Sequence, residues 1–154
     1  MLNIAWTGGS DEDRKAVAEQ HDAYLIANAK FDSDHLLSVF SDAPWAEYFI
    51  LNGHIYKGRD HWIRLWKYYI NQQSTGYWKP FDLTGVISGD LATVWCKRET
   101  VSTWFGPDKH SPDTGDGKQF ISRSTMVFHR QNGEWRCVHV HFSRHATDER
   151  PGGV

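Results

Sequence analysis

Apolar side chains along this chain fall into two regimes, a helical period in the first half and alternation in the second. Over 11–30 the positions Ala16, Val17, Ala23, Tyr24 and Ala27 recur at helical spacing behind an acidic first turn, which predicts a first helix. Phe31-Asp32-Ser33-Asp34 interrupts the period with capping residues. A second, short helix follows over 35–40, closed by Ser41-Asp42-Ala43-Pro44. Residues 45–56 are rich in strand formers and broken by Asn52-Gly53, the signature of a tight hairpin. Gly58-Arg59-Asp60 then opens a third helix, with Asp60 read as its N-cap and Trp62, Leu65, Trp66 and Tyr69 as an aromatic stripe at i, i+3, i+4, i+7.

From residue 77 the period becomes two. Strands are predicted over 77–88, 92–105, 119–130 and 134–143, joined by tight turns at Ser88-Gly89-Asp90 and Gln131-Asn132-Gly133 and by a longer polar loop over 106–118. Helices followed by an antiparallel meander give an α+β order. The expected organisation is one domain over 11–145, with a flexible leader over 1–10 and a flexible tail over 146–154.

Composition narrows the function. A chain of 154 residues is one ordinary domain with room for a substantial core. Its 17 basic and 19 acidic residues are interspersed, so neither nucleic acid nor an anionic membrane is an expected partner. The longest apolar runs fall well short of the roughly 20 residues of a membrane helix. Two cysteines and no apolar leader make a reduced, cytoplasmic setting the expectation. Aromatic residues reach 14% of the chain, an enrichment that accompanies gripping of apolar ligands or subunits.

The final hairpin, STMVFHRQNGEWRCVHVHFS, carries a resemblance. Its apolar strand, HR, turn, G-x-W and VHxH is similar to the association domain of calcium/calmodulin-dependent kinase II and to the last hairpin of ketosteroid isomerase. With the element order, it identifies the chain as resembling the NTF2-like superfamily over most of 11–145. The resemblance implies a cone-shaped NTF2-like (SnoaL-like) fold, three N-terminal helices packed on a curved antiparallel sheet around one apolar pocket. Aligned with the isomerase, Tyr24 takes the place of the tyrosine that donates to the substrate oxygen. Tyr48 and Ser122 occupy the positions of the two catalytic aspartates, so the steroid-isomerase carboxylates are missing. Aligned with the association domain, Arg98 matches one pocket arginine, while Met126 and Phe142 replace two others.

Alternation then selects the pocket wall: Tyr24, Tyr48, Trp62, Trp66, Arg98, Ser122, Ser124, Met126, Phe128, Val138, Val140 and Phe142. Taken singly, Trp62, Trp66, Phe128 and Phe142 read as plain core, whereas the collected set suits a flat hydrophobic ligand bearing one or two oxygens. Tyr24, Tyr48, Arg98 and His54 are the candidate catalytic groups. Tyr48 and Arg98 are read either as an acid/base pair, since a nearby cation favours phenolate, or with Arg98 as a clamp for a substrate phenolate or carboxylate, and His54 is a reserve base at the pocket mouth. Trp62, Trp66, Ser122, Ser124, Met126, Phe128 and Phe142 are the candidate substrate-binding set. His139 and His141 share a strand face as metal ligands would, but alternation turns that face outward, where the resemblance implies subunit contacts and a homo-oligomer. No phosphate loop, nucleophile elbow or CxxC is present, so no cofactor and no metal are expected. The resulting reading is a cofactor-independent lyase or isomerase of an aromatic small molecule. Of the family's chemistries, formaldehyde release from a lignin-derived diarylpropane is the finer expectation. A ligand-binding or oligomerisation module and a polyketide cyclase or dehydratase are the alternatives.

Overall fold

A computed structural model describes residues 2–107 and 115–153; positions 108–114 of the predicted polar loop lie outside the described residues. The chain runs β1 (Ile4–Thr7), α1 (Asp11–Lys30), α2 (Ser33–Val39), β2 (Glu47–Phe49), β3 (Ile55–Lys57), α3 (Arg59–Tyr69), β4 (Gln73–Ser88), β5 (Leu91–Trp104), β6 (Phe120–Gln131) and β7 (Glu134–Arg144). Three helices and one curved, mostly antiparallel sheet form the α+β cone expected of the NTF2-like fold. Among the described residues no helix is long and apolar enough to cross a membrane.

Capping chemistry sets the helix bounds. Ser10 Oγ accepts from the Asp13 N–H at 3.1 Å, and Asp11, Glu12 and Asp13 lie at the positive end of α1. Phe31 closes it in a left-handed conformation at φ 51°. Asp32 caps α2 by accepting from the His35 N–H at 3.1 Å, which starts that helix two residues before the predicted position. Asp60 is not the cap of α3: Gly58 takes that place at φ 76° with no side-chain bond, and Asp60 lies inside the first turn.

The sheet order is β1-β4-β5-β6-β7-β2-β3. The four long strands form the predicted meander, and Asn132 and Gly133, both at positive φ, make the β6–β7 turn. Three details depart from the sequence reading. Residues 4–7, assigned to the leader, form β1 and pair in parallel with 83–86 of β4. Here Gly85 has a structural reason, since a Cβ on it would sit 2.3 Å from the Trp6 ring. At the other edge β2 pairs in parallel with β7, so the sheet is not antiparallel throughout. Finally, β7 bulges opposite the step from Val127 to Phe128, which pair with His139 and Cys137. The bulge reverses the inward phase, as bulges do. Cys137 (0% exposed) joins the core cluster, and Val138, expected in the pocket wall, is buried outside it. Val17, Leu36, Val39, Phe40, Val94, Met126, Phe128 and Val140 form the fully buried centre between helices and sheet.

Candidate functional site

The interior of the cone is polar along two facing lines. On α1, His21, Tyr24 and Asn28 recur at i, i+3 and i+7, which stacks them on one helix face, and all three are buried. On the sheet, alternation turns Cys96, Arg98, Thr100 and Ser102 of β5 and Ser122 and Ser124 of β6 to the same interior. Register pairs Arg98 with Ser122 and Cys96 with Ser124, so the polar positions form one patch across two strands.

Arg98 dominates that patch. Its side chain is fully buried, and its guanidinium lies 4.6 Å from the centre of the Trp78 ring and 4.3 Å from that of Phe142. Its Nε donates to Ser122 Oγ at 3.1 Å, and Ser122 in turn lies 3.3 Å from Thr100 Oγ1. Among the described residues neither terminal nitrogen makes a well-formed hydrogen bond, although the Tyr24 hydroxyl interacts with the guanidinium, and no carboxylate is buried. Burial lowers the guanidinium's proton affinity and Tyr24 partly restores it, yet arginine remains a cation in proteins. Two ring faces contribute roughly 2 kcal/mol each when desolvated. Desolvating the ion costs several kcal/mol. The ring faces and the Ser122 bond offset much of this cost, and the terminal nitrogens are left facing no anion among the described residues.

Tyr24 is the phenol that meets this cation. It is 1% exposed, packs among Phe40, Trp62, Trp66 and Phe142, and burial pushes its pKa upward against the pull of Arg98. It is thus a neutral hydrogen-bond donor. The expected Tyr48–Arg98 acid/base pair does not form. β2 lies three strands from β5, a span of roughly 14 Å at ordinary strand spacing. Tyr48 stacks on Trp62 and donates to the Cys137 carbonyl at 3.4 Å. Burial raises its pKa too, so it is no phenolate base. His54 is exposed at the β2–β3 turn, where its N–H donates to Asn52 Oδ1, and it does not line the pocket.

The pocket opens between α1, α3 and the β2–β3 turn. Tyr24, Asn28, Trp62, Trp66, Trp78 and Phe142 line it, with Phe31, Ile50, Leu51, Leu65, Tyr69 and Gln73. Its free volume is about 40 Å³, enough for a few waters. A drug-sized ligand fills some 300 Å³ or more. Side chains must therefore move for an aromatic ligand to enter. Of the predicted binding set, Trp62, Trp66 and Phe142 line this space. Ser122 and Ser124 do not line it but belong to the Arg98 patch, where the Ser124 hydroxyl makes no well-formed hydrogen bond among the described residues. Met126 and Phe128 are fully buried core and do not line the pocket. His139 and His141 face outward as alternation required, each packed edge-on against Phe49.

Sequence reasoning missed His21, Asn28, Gln73 and Trp78. The helical spacing of His21, Tyr24 and Asn28 was legible, but a helix face is normally sought by its apolar residues. His21 is fully buried, both ring nitrogens lack partners, and burial together with Arg98 pushes its pKa down to about 3.

Comparison with known proteins places this geometry in a family. A SnoaL-like domain profile matches residues 17–147. A search of curated protein sequences finds no significant match. Similar solved structures include a nuclear transport factor 2 (NTF2-like) superfamily protein from Salmonella enterica, with TM-score 0.70 and 16% identity over 95% of this chain and 100% of that one. An NTF2-like protein of unknown function from Pseudomonas putida gives TM-score 0.69 and 19% identity over 88% and 89% of the two chains. A ketosteroid isomerase-like protein from Erwinia carotovora gives TM-score 0.69 and 14% identity over 89% and 99%. At these identities the structures report a common fold, and the profile covers most of the chain: it belongs to the SnoaL-like domain family of the NTF2-like superfamily.

Proposed function

We propose that this protein is a cofactor-independent lyase or isomerase that moves protons on a phenolic aromatic compound, and in its finer form a formaldehyde-releasing lyase of diarylpropanes. One observation carries the reading: Arg98 is a fully buried cation beside an aromatic pocket, with no carboxylate to neutralise it and no well-formed hydrogen bond at either terminal nitrogen among the described residues. Such a group suits a ligand whose oxygen is, or becomes, an anion. Tyr24 adds a neutral donor to the same oxygen, and Trp62, Trp66 and Trp78 offer ring faces to the remainder of the molecule.

Formaldehyde loss from a 1,2-diarylpropane-1,3-diol with a para phenol uses these parts in order. A base takes the phenol proton, and the phenolate, held by Arg98, pushes out the benzylic hydroxyl, which leaves as water with that proton. The resulting quinone methide is an electron sink. The base then takes the proton of the terminal hydroxyl, the bond to the terminal carbon breaks, and formaldehyde departs as the electrons return to the ring. Reprotonation of the phenolate leaves a hydroxystilbene. Arg98 stabilises the anion at both stages, where a preorganised donor contributes most.

The test is to incubate the protein with such a diol and follow the stilbene chromophore and formaldehyde. Both are expected in equal amounts. Arg98→Met and Tyr24→Phe are expected to lower turnover roughly 10- to 100-fold, the loss of a charge-assisted or donor contact. Their melting temperatures should not fall. Consumption unaffected by both changes contradicts the site. Loss of water without formaldehyde moves the assignment to a dehydratase, and no turnover across phenolic substrates moves it to a binding module.

A further inference from the structure

The chemistry above needs a base, and neither Tyr48 nor His54 is placed to supply it. Among the described residues one imidazole is fully buried, that of His21, which neighbours the pocket-lining Tyr24 on α1 without itself lining the pocket. It sits one helical turn before Tyr24 on the polar face of α1, fully buried, with Nδ1 and Nε2 both lacking hydrogen-bond partners. We propose that His21 is the proton acceptor of the Arg98 site, taking the proton of a substrate hydroxyl and returning it to the departing one. The inference rests on the function proposed above and assigns it a base.

Three observations support it. A buried polar atom without a partner costs about 1–3 kcal/mol, so a core imidazole with two such atoms is an unfavourable choice unless a ligand meets it. Other polar atoms of this interior are left without a well-formed hydrogen bond among the described residues, Arg98 Nη1 and Nη2 on β5 and Ser124 Oγ on β6. Charge supplies the third. Arg98 is the one charged group that acts on His21, while burial holds the other titratable groups of this interior neutral: Tyr24 on α1, Cys96 on β5 and Cys137 on β7. No acidic or basic side chain of α2 or β4 is fully buried. In the free protein the imidazole is therefore neutral and ready to accept. Burial is the larger cause of the low basicity and Arg98 the smaller, so an anion bound to Arg98 offsets the repulsion and raises the basicity in part. The imidazole is therefore a stronger base whenever a phenolate or other anion is held by Arg98.

The experiment compares His21→Gln and His21→Phe with the unaltered protein. His21→Phe is expected to fold with a melting temperature at or above the parent, because it removes two unpartnered polar atoms, whereas His21→Gln keeps a polar group of similar size that cannot act as a base. Turnover of the diol is expected to fall about 100-fold or more, the usual contribution of a general base. The acid limb of the kcat profile should vanish with it. A His21→Gln enzyme within about threefold of the parent, or one that keeps the acid limb, overturns the assignment while leaving the lyase reading intact. If the parent turns over no diol, the lyase reading fails and binding decides His21 separately. Cinnamate, an aromatic carboxylate, is titrated calorimetrically at about pH 6 in buffers of different ionisation enthalpy. Proton uptake on binding that disappears in His21→Gln supports the inference; no binding, or binding without uptake, overturns it.

Discussion

At the residue scale the protein holds a cation and an imidazole in its core, each incompletely bonded, and both leave a signature on stability. The folded-state pKa of His21 is about 3, against about 6.5 in an unfolded chain. The unfolded state therefore binds the extra proton between these values, and stability falls as pH drops through that window. The slope from this residue is about 1.4 kcal/mol per pH unit, and above about pH 6.5 it contributes nothing. Urea unfolding of the parent and of His21→Phe across about pH 7 to 4 should diverge as the pH falls, with the variant the more acid-resistant. Parallel curves would mean that His21 is already protonated or solvated in the folded protein. Tyr24 and Tyr48 behave oppositely, since burial raises both and keeps them neutral across the same range.

At the element scale, local rules account for most of the architecture and long-range pairing for the exceptions. Caps at Ser10 and Asp32 and the Asn132-Gly133 turn follow from side-chain chemistry within a few residues. β1 does not, because four residues acquire a strand conformation only by pairing with β4, 79 positions later at Ile4–Leu83. The contact of Trp6 with Gly85 makes this docking testable. Gly85→Ala places a methyl group against the indole, and overpacking of this kind costs about 1–3 kcal/mol. Denaturant unfolding should show that loss, and Trp6→Ala in the same chain should recover part of it. A Gly85→Ala protein as stable as its parent would mean that β1 is not seated on β4. The β7 bulge is the second long-range feature, and it explains why simple alternation put Val138, rather than Cys137, in the interior.

At the scale of the whole molecule, the cone, its helical layer and its meander were legible in the sequence because period and turn chemistry are local properties. The site was legible in part. Tyr24 and Arg98 were named from alignment and alternation, and they do act on one another. Tyr48 was paired with Arg98 only because inward-facing residues carry no information on which strand they face across a curved sheet. His21 escaped because it was sought neither as core nor as ligand. The size of the pocket could not be read at all, since about 40 Å³ is the residue of packing between a dozen side chains from distant elements.

That small pocket beside a buried cation is the centre of the account, and a crystal structure with a bound hydroxystilbene tests it most directly. The predicted result has the phenolic oxygen within about 3 Å of the Arg98 terminal nitrogens, as a charge-assisted bond requires, with the rings among Trp62, Trp66 and Trp78 and the pocket enlarged by their movement. A ligand whose oxygen points to solvent, with the Arg98 terminal nitrogens still facing no anion, would contradict the assignment.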